Sequence, residues 1–142
     1  MPVQNIAVDV VTAARDAPVL ELARTMRDEE LGDLVVEEDR KPVGIVTDRD
    51  VAMALAEHGD VSGLTAEDVM TPDPVTIHED ATAVDLPARM AEGRVRRIPV
   101  VDDDGDLVGI ATLDDVVATA GEMLKDVATV IESQSREYRP EA

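Results

Sequence analysis

The sequence predicts an α+β fold in which two pseudo-symmetric β-α-β-β-α units, layered in the α/β manner, pack through their sheets, with a further helix at the C-terminus. Three observations carry this prediction. Val43-Gly44-Ile45-Val46-Thr47-Asp48-Arg49-Asp50-Val51 recurs 65 residues later as Val108-Gly109-Ile110-Ala111-Thr112-Leu113-Asp114-Asp115-Val116. Upstream, Asp16-Ala17, Leu22 and Met26 recur at a spacing of 64 as Asp80-Ala81, Leu86 and Met90. Between these matches, helical stripes and short β-branched runs follow the same order twice. Self-similarity at a long fixed period marks one supersecondary unit used repeatedly, each copy burying its apolar face against the other.

Each unit opens with a short extended segment, Val10-Val11-Thr12 or Pro74-Val75-Thr76-Ile77. Asp16 and Asp80 follow as expected N-caps. In the first copy Val19, Leu22, Ala23 and Met26 share one helical stripe. Leu34-Val35-Val36 and Ile98-Pro99-Val100-Val101 are too short for helices and rich in β-branched residues, so they read as strands. The acidic turns Glu37 to Lys41 and Asp102 to Asp106 return the chain into Val43–Val46 and Val108–Ala111, which completes a hairpin in each copy. A second helix then starts near Asp48 or Leu113. The expected division is residues 1–58 for the first unit, 59–66 for a linker and 67–120 for the second unit. A C-terminal helix over 121–135 and a flexible tail over 136–142 complete it.

That order, with a glycine-bearing strand running into Thr-x-x-Asp, resembles the cystathionine-β-synthase (CBS) domain family, whose domains occur as tandem pairs called Bateman modules. Asp68-Val69-Met70-Thr71-Pro72 and Arg96-Arg97-Ile98-Pro99-Val100-Val101-Asp102 extend the match. The likeness covers about residues 3–120. It implies a regulatory module that binds an adenosine-containing ligand such as AMP, ADP or ATP, with S-adenosylmethionine as an alternative. It also implies a homodimer, a regulated protein partner and no catalytic residue.

Composition supplies a setting. The 142 residues include no Phe, Trp or Cys, so the core is built from Val, Leu, Ile, Ala and Met, and disulfides and thiol chemistry are excluded. The sequence shows neither an 18-residue apolar stretch nor a basic-then-apolar start, which predicts a cytoplasmic protein that engages no membrane. With 32 acidic and 13 basic residues the net charge is −19, yet 44% of residues are apolar and clearly patterned, which argues against disorder. The charge fits a halophile-like proteome, where molar salt screens beyond about 3 Å. Nucleic acid is not an expected partner, since phosphate neutralisation requires a basic surface.

Against this background three arginines within four positions, Arg94, Arg96 and Arg97, stand out. They serve either to neutralise nearby carboxylates or to clamp an anion, for which guanidinium suits phosphate oxygens. The resemblance assigns the phosphate role to Arg97 first and Arg96 second. Thr-x-x-Asp is a capping-box-like helix start, and that helix terminus also offers free N–H groups to a phosphate. An ionised Asp accepts two hydroxyl donors at once, which suits a ribose. By resemblance Asp115 and Asp50 hold the ribose, and Thr112 and Thr47 contact phosphate or ribose. Val75, Thr76 and Ile77 of the second copy, and Val11 and Thr12 of the first, stand where the family lines its adenine pocket.

Two departures from an even repeat have consequences. Pro87 inside a regular helix costs ~3 kcal/mol, so that helix is expected to kink or start late. Gly32-Asp33 stand where the second copy has Arg96-Arg97, so the Thr47–Asp50 site is expected to bind a weaker ligand or none, unless Arg49 supplies charge. Beyond Gly121, Met123, Leu124, Val127, Val130 and Ile131 form a stripe that calls for a cover, either the chain's own core or a second subunit. His58 and His78 lack metal-type spacing, and Asp102 to Asp106 reads as a turn, so no metal site is expected. The leading reading is a stand-alone adenosine-nucleotide sensor. Its rival is a ligand-independent oligomerisation or docking scaffold.

Overall fold

The computed structural model describes residues 1–135, and the tail expected over 136–142 lies outside them. A four-stranded sheet in the order β1-β2-β3-β4 comprises Thr12–Ala13, Asp33–Glu38, Lys41–Thr47 and Thr71–Pro72. A three-stranded sheet, β5-β6-β7, comprises Ile77–His78, Arg97–Val101 and Leu107–Thr112. In each, the first strand runs parallel to the second, and a hairpin follows. Helices α1 (Val19–Glu29) and α2 (Asp48–His58) belong to the first unit, α3 (Ala66–Val69) to the connection, and α4 (Asp85–Gly93) and α5 (Leu113–Gln134) to the second. The mixed fold and the duplicated order match the sequence expectation.

Several boundaries differ for local reasons. The first strands begin later than expected, at Thr12 and Ile77. Asp16 and Asp80 cap nothing: Pro18 precedes α1, and Val84 precedes α4. Proline with φ −61° sets the approach to α1 without a side-chain cap. Helix α4 starts late, so that Pro87 is its third residue. There the backbone N–H has no intrahelical acceptor anyway, and the ring breaks no bond. At the far end, Gly121 does not interrupt α5. One glycine costs about 1 kcal/mol, too little to split a 22-residue helix.

Each unit has its own core. Leu22, Met26, Leu34, Val36, Val46 and Ala66 form one cluster; Val3, Ile6, Ile77, Leu86, Met90, Ile98, Val100 and Ala111 form the other. Strand alternation turns Val35 and Pro99 to the opposite face from their neighbours, and both are fully buried, which marks the face where the sheets meet.

The two leading segments are exchanged between units. Residues 1–8 dock on the second unit, through Val3 N to Ala81 O (2.8 Å), Gln4 N to Glu79 O (3.0 Å) and a two-bond bridge between Val8 and Ile110. The connection returns the arrangement: Ala66 N bonds to Ala17 O (2.8 Å) and Glu67 N to Arg15 O (3.0 Å), and β4 pairs with β3. These crossing segments explain the repeated glycines. A Cβ at Gly109 would stand 3.0 Å from Val8 O, and one at Gly44 2.9 Å from Met70 Cγ.

Candidate functional site

Both Thr-x-x-Asp motifs fold into capping boxes, as their spacing predicts. Thr47 N donates to Asp50 Oδ2 at 2.9 Å while Thr47 Oγ1 accepts from Asp50 N at 3.2 Å. Thr112 repeats this: its N and Oγ1 donate to Asp115 Oδ2 at 3.3 and 2.8 Å, and Oγ1 lies 3.3 Å from Asp115 N. Each motif therefore sits half-buried where a strand becomes a helix, with the threonine and aspartate held together.

The arginines are placed by the end of α4. Arg94 adopts the left-handed conformation (φ 53°), its N–H returning to the last helical carbonyls, and the chain turns into β6. Glu30 does the same after α1 (φ 55°) and delivers Gly32-Asp33 to β2. In the two hairpins Asp33 lies opposite Thr47, and Arg97 opposite Thr112. These equivalent positions meet across the pseudo-twofold relation, with Arg97 Nε 2.9 Å from Asp33 Oδ1. Arg97 is one-third exposed, and Arg96 extends into solvent.

Two cavities flank this pair. One, about 350 Å³, is lined by Ile45, Thr47, Asp50, Thr71, Asp73, Pro74, Val75, Gly93, Val95, Arg96 and Arg97. The other, about 360 Å³, is polar: Asp33, Arg96, Arg97, Thr112, Leu113 and Asp114. A hydroxyl and an acceptor carboxylate thus face an apolar wall and two guanidinium groups across one space. That combination can seat a flat apolar ring, receive vicinal hydroxyls and contact an anion.

The grouping differs from the sequence expectation. Thr47 and Asp50 of the first unit, expected to lack a cation, share their cavity with Arg96, Arg97 and Val75 of the second. The expectation paired motif and arginines within one repeat, whereas the pseudo-twofold brings together motif and arginines from different repeats. Thr112 lines the polar cavity, but Asp115 lines neither. Val11 packs on the first core, and Ile77 is buried in the second. Thr12 lines a separate surface depression with Asp16 and Glu21, and Thr76 lines none of these spaces. Asp33, Asp73, Val95 and Pro74 were not anticipated. The signal for Asp33 was present: it is the repeat equivalent of Arg97, and equivalent residues near a twofold axis meet.

Elsewhere, the acidic turn is a hairpin turn closed on itself. Asp102 Oδ1 accepts from Asp104 N and Asp106 N, both at 2.9 Å, and Lys41 Nζ reaches Asp106 at 2.6 Å. His78 Nε2 lies 2.6 Å from Asp103 Oδ1, and its Nδ1 accepts from Asp80 N, so both ring nitrogens have protein partners. The apolar stripe of α5 from Met123 to Ile131 remains half or more exposed; the chain's own core does not cover it. No helix among the described residues is long and apolar enough to cross a membrane.

Comparison with known proteins agrees with this architecture. The CBS domain family matches residues 3–57 and 66–122. The chain is 32% identical over 135 residues to an uncharacterised protein of Methanopyrus kandleri, a match that covers 94% of the chain and 67% of that protein. It is 39% identical over 108 residues, 76% of the chain, to an inosine-5′-monophosphate dehydrogenase of Korarchaeum cryptofilum, but spans only 22% of that enzyme. Among solved structures, the CBS domain pair of protein MJ0100 in complex with 5′-methylthioadenosine and S-adenosyl-L-methionine is similar at a TM-score of 0.76 and 29% identity, covering 87% of this chain and 98% of that one. CBSX2 in complex with AMP is similar at 0.73 and 25% identity, covering 86% and 97%.

Proposed function

The chain belongs to the CBS domain family as a tandem pair, and from that premise we propose that it is a regulatory module that binds an adenosine-containing ligand in the cavity formed by Thr47, Asp50, Val75 and Arg97. One observation carries the reading: elements from both units wall a single 350 Å³ space that offers a ribose acceptor, an apolar surface and guanidinium donors. Asp50 receives the ribose hydroxyls, Thr47 the ribose or a phosphate, and Val75 with Val95 and Ile45 the base. Arg97, with Arg96 beside it, meets the phosphate. Thr112 lines the polar cavity on the other side, where Asp33 and Asp114 stand beside the two arginines and Asp115 is not in the wall, and that space is the weaker site. AMP, ADP, ATP and S-adenosylmethionine are the candidate ligands, and the MJ0100 and CBSX2 complexes support that class. The module regulates rather than catalyses; its likeness to the dehydrogenase is confined to a fifth of that enzyme.

Occupancy acts through a partner protein or through oligomeric state, which requires that ligand bind two arrangements unequally. The uncovered face of α5 favours self-association into a homodimer, and it also supports the second reading, a scaffold that assembles without ligand. The net charge of −19 supports a salt-rich cytoplasm as its setting.

Isothermal titration of AMP, ATP and S-adenosylmethionine in molar KCl separates sensor from scaffold. Asp50→Ala is expected to weaken binding by roughly ten- to a hundredfold, since hydrogen bonds to a charged acceptor contribute about 1.5–3 kcal/mol. Unchanged affinity in a folded Asp50→Ala protein removes Asp50 from the site. Absence of binding by the wild type leaves the scaffold.

A further inference from the structure

Arg96 and Arg97 wall both cavities, so an anionic group of any ligand seated beside Asp50 is met by the same two guanidinium groups from either side. Their charge is already answered. Asp50 and Asp73 line one cavity and Asp33 and Asp114 the other, so two arginines face four carboxylates.

Among these acids Asp33 is distinctive. Asp114 is 91% exposed and loosely paired to Arg96 at 3.9 Å, and Asp50 is engaged in its capping box. The Asp33 side chain is only 17% exposed, and among the described residues its one charged partner is Arg97 at 2.9 Å. Among the described residues the Arg97 side chain has no partner besides Asp33, so this ion pair alone holds its guanidinium, and the remaining N–H donors are available to a ligand.

We propose, resting on the adenosine site above, that Asp33 is a specificity-determining residue that makes this site select adenosine ligands with one phosphate or none over the triphosphate. A nucleoside or monophosphate fills the apolar cavity and uses the open donors of Arg97 without displacing Asp33. A longer phosphate chain must enter the polar cavity, where it has two courses. It shares Arg97 with Asp33 and lies beside a like charge, which is repulsive at short range. Alternatively it takes Arg97 for itself and strands a mostly buried carboxylate, which costs more than the ion pair contributes. Either course penalises each added phosphoryl group, and Asp33 is the source of the penalty.

Titration of adenosine, AMP and ATP into the wild type and Asp33→Asn, in magnesium-free buffer, tests this. The substitution is isosteric, and far-UV circular dichroism establishes that the variant folds. The wild type is expected to bind ATP no more tightly than AMP. Asp33→Asn is expected to tighten ATP by about tenfold, AMP by less and adenosine not at all, with the gain shrinking as KCl is raised. ATP binding tenfold tighter than AMP in the wild type, or an equal change for all three ligands in the variant, overturns the assignment while the adenosine site stands. If none of the three binds either protein, the site and this inference fall together.

Discussion

Val3 provides a sharp test of how this fold is assembled. Terminal residues usually fray, and truncating a side chain there changes stability by under about 0.5 kcal/mol. Here Val3 is 0% exposed and belongs to the second core with Ile6, Ile77, Leu86 and Ile98, while its N–H bonds to Ala81 O at 2.8 Å. Val3→Ala removes two methyl groups. At about 0.8 kcal/mol each, plus the cavity left behind, the expected loss is about 2–3 kcal/mol. For a chain of this size that lowers the melting midpoint by roughly 5–10 °C. Urea unfolding followed by far-UV circular dichroism gives the stability, with Leu20→Ala, at a 49% exposed position, as the control. A Val3→Ala protein within about 0.5 kcal/mol of wild type refutes the exchange of leading segments as an energetic feature.

Two further outcomes are expected. Pro87→Ala changes stability by less than about 1 kcal/mol in the same assay, because the first helical turn lacks intrahelical acceptors for its N–H groups; a gain near 3 kcal/mol would mean that α4 extends further upstream. The melting midpoint rises as KCl goes from low to molar concentration, because the screening length contracts to about 3 Å and suppresses self-repulsion of a −19 chain; a flat or falling midpoint would detach the charge from salt adaptation.

Elements set by local interactions were legible in the residues. Thr47 with Asp50, and Thr112 with Asp115, announce capping boxes because the bonding partners are three positions apart. Leu34-Val35-Val36 and Ile98 to Val101 announce strands because alternation and β-branching suit a pleated, two-faced surface. The CBS resemblance rested on two copies of these signals in order, and family and fold followed from it. Less legible were α1 and α4, where Pro18 and Val84 precede the helices rather than the aspartates. Asp16 and Asp80 are good caps in isolation, but docking of the exchanged segments on the neighbouring backbone fixed the start elsewhere.

The site divides along the same line. Sequence alone singled out the candidate residues, namely the Thr-x-x-Asp pairs and the Arg96-Arg97 step, since side-chain type and helix-start geometry are properties of a few adjacent residues. Tertiary structure alone decided which of them meet. It set Thr47 and Asp50 against Val75 and Arg97 of the other unit, joined Asp33 to Arg97, and sent Val3 into the distant core. A repeat records what each copy contains, whereas the pseudo-twofold packing pairs each position with its own counterpart, and that juxtaposition depends on the burial of Val35 and Pro99 between sheets rather than on any neighbour in the chain.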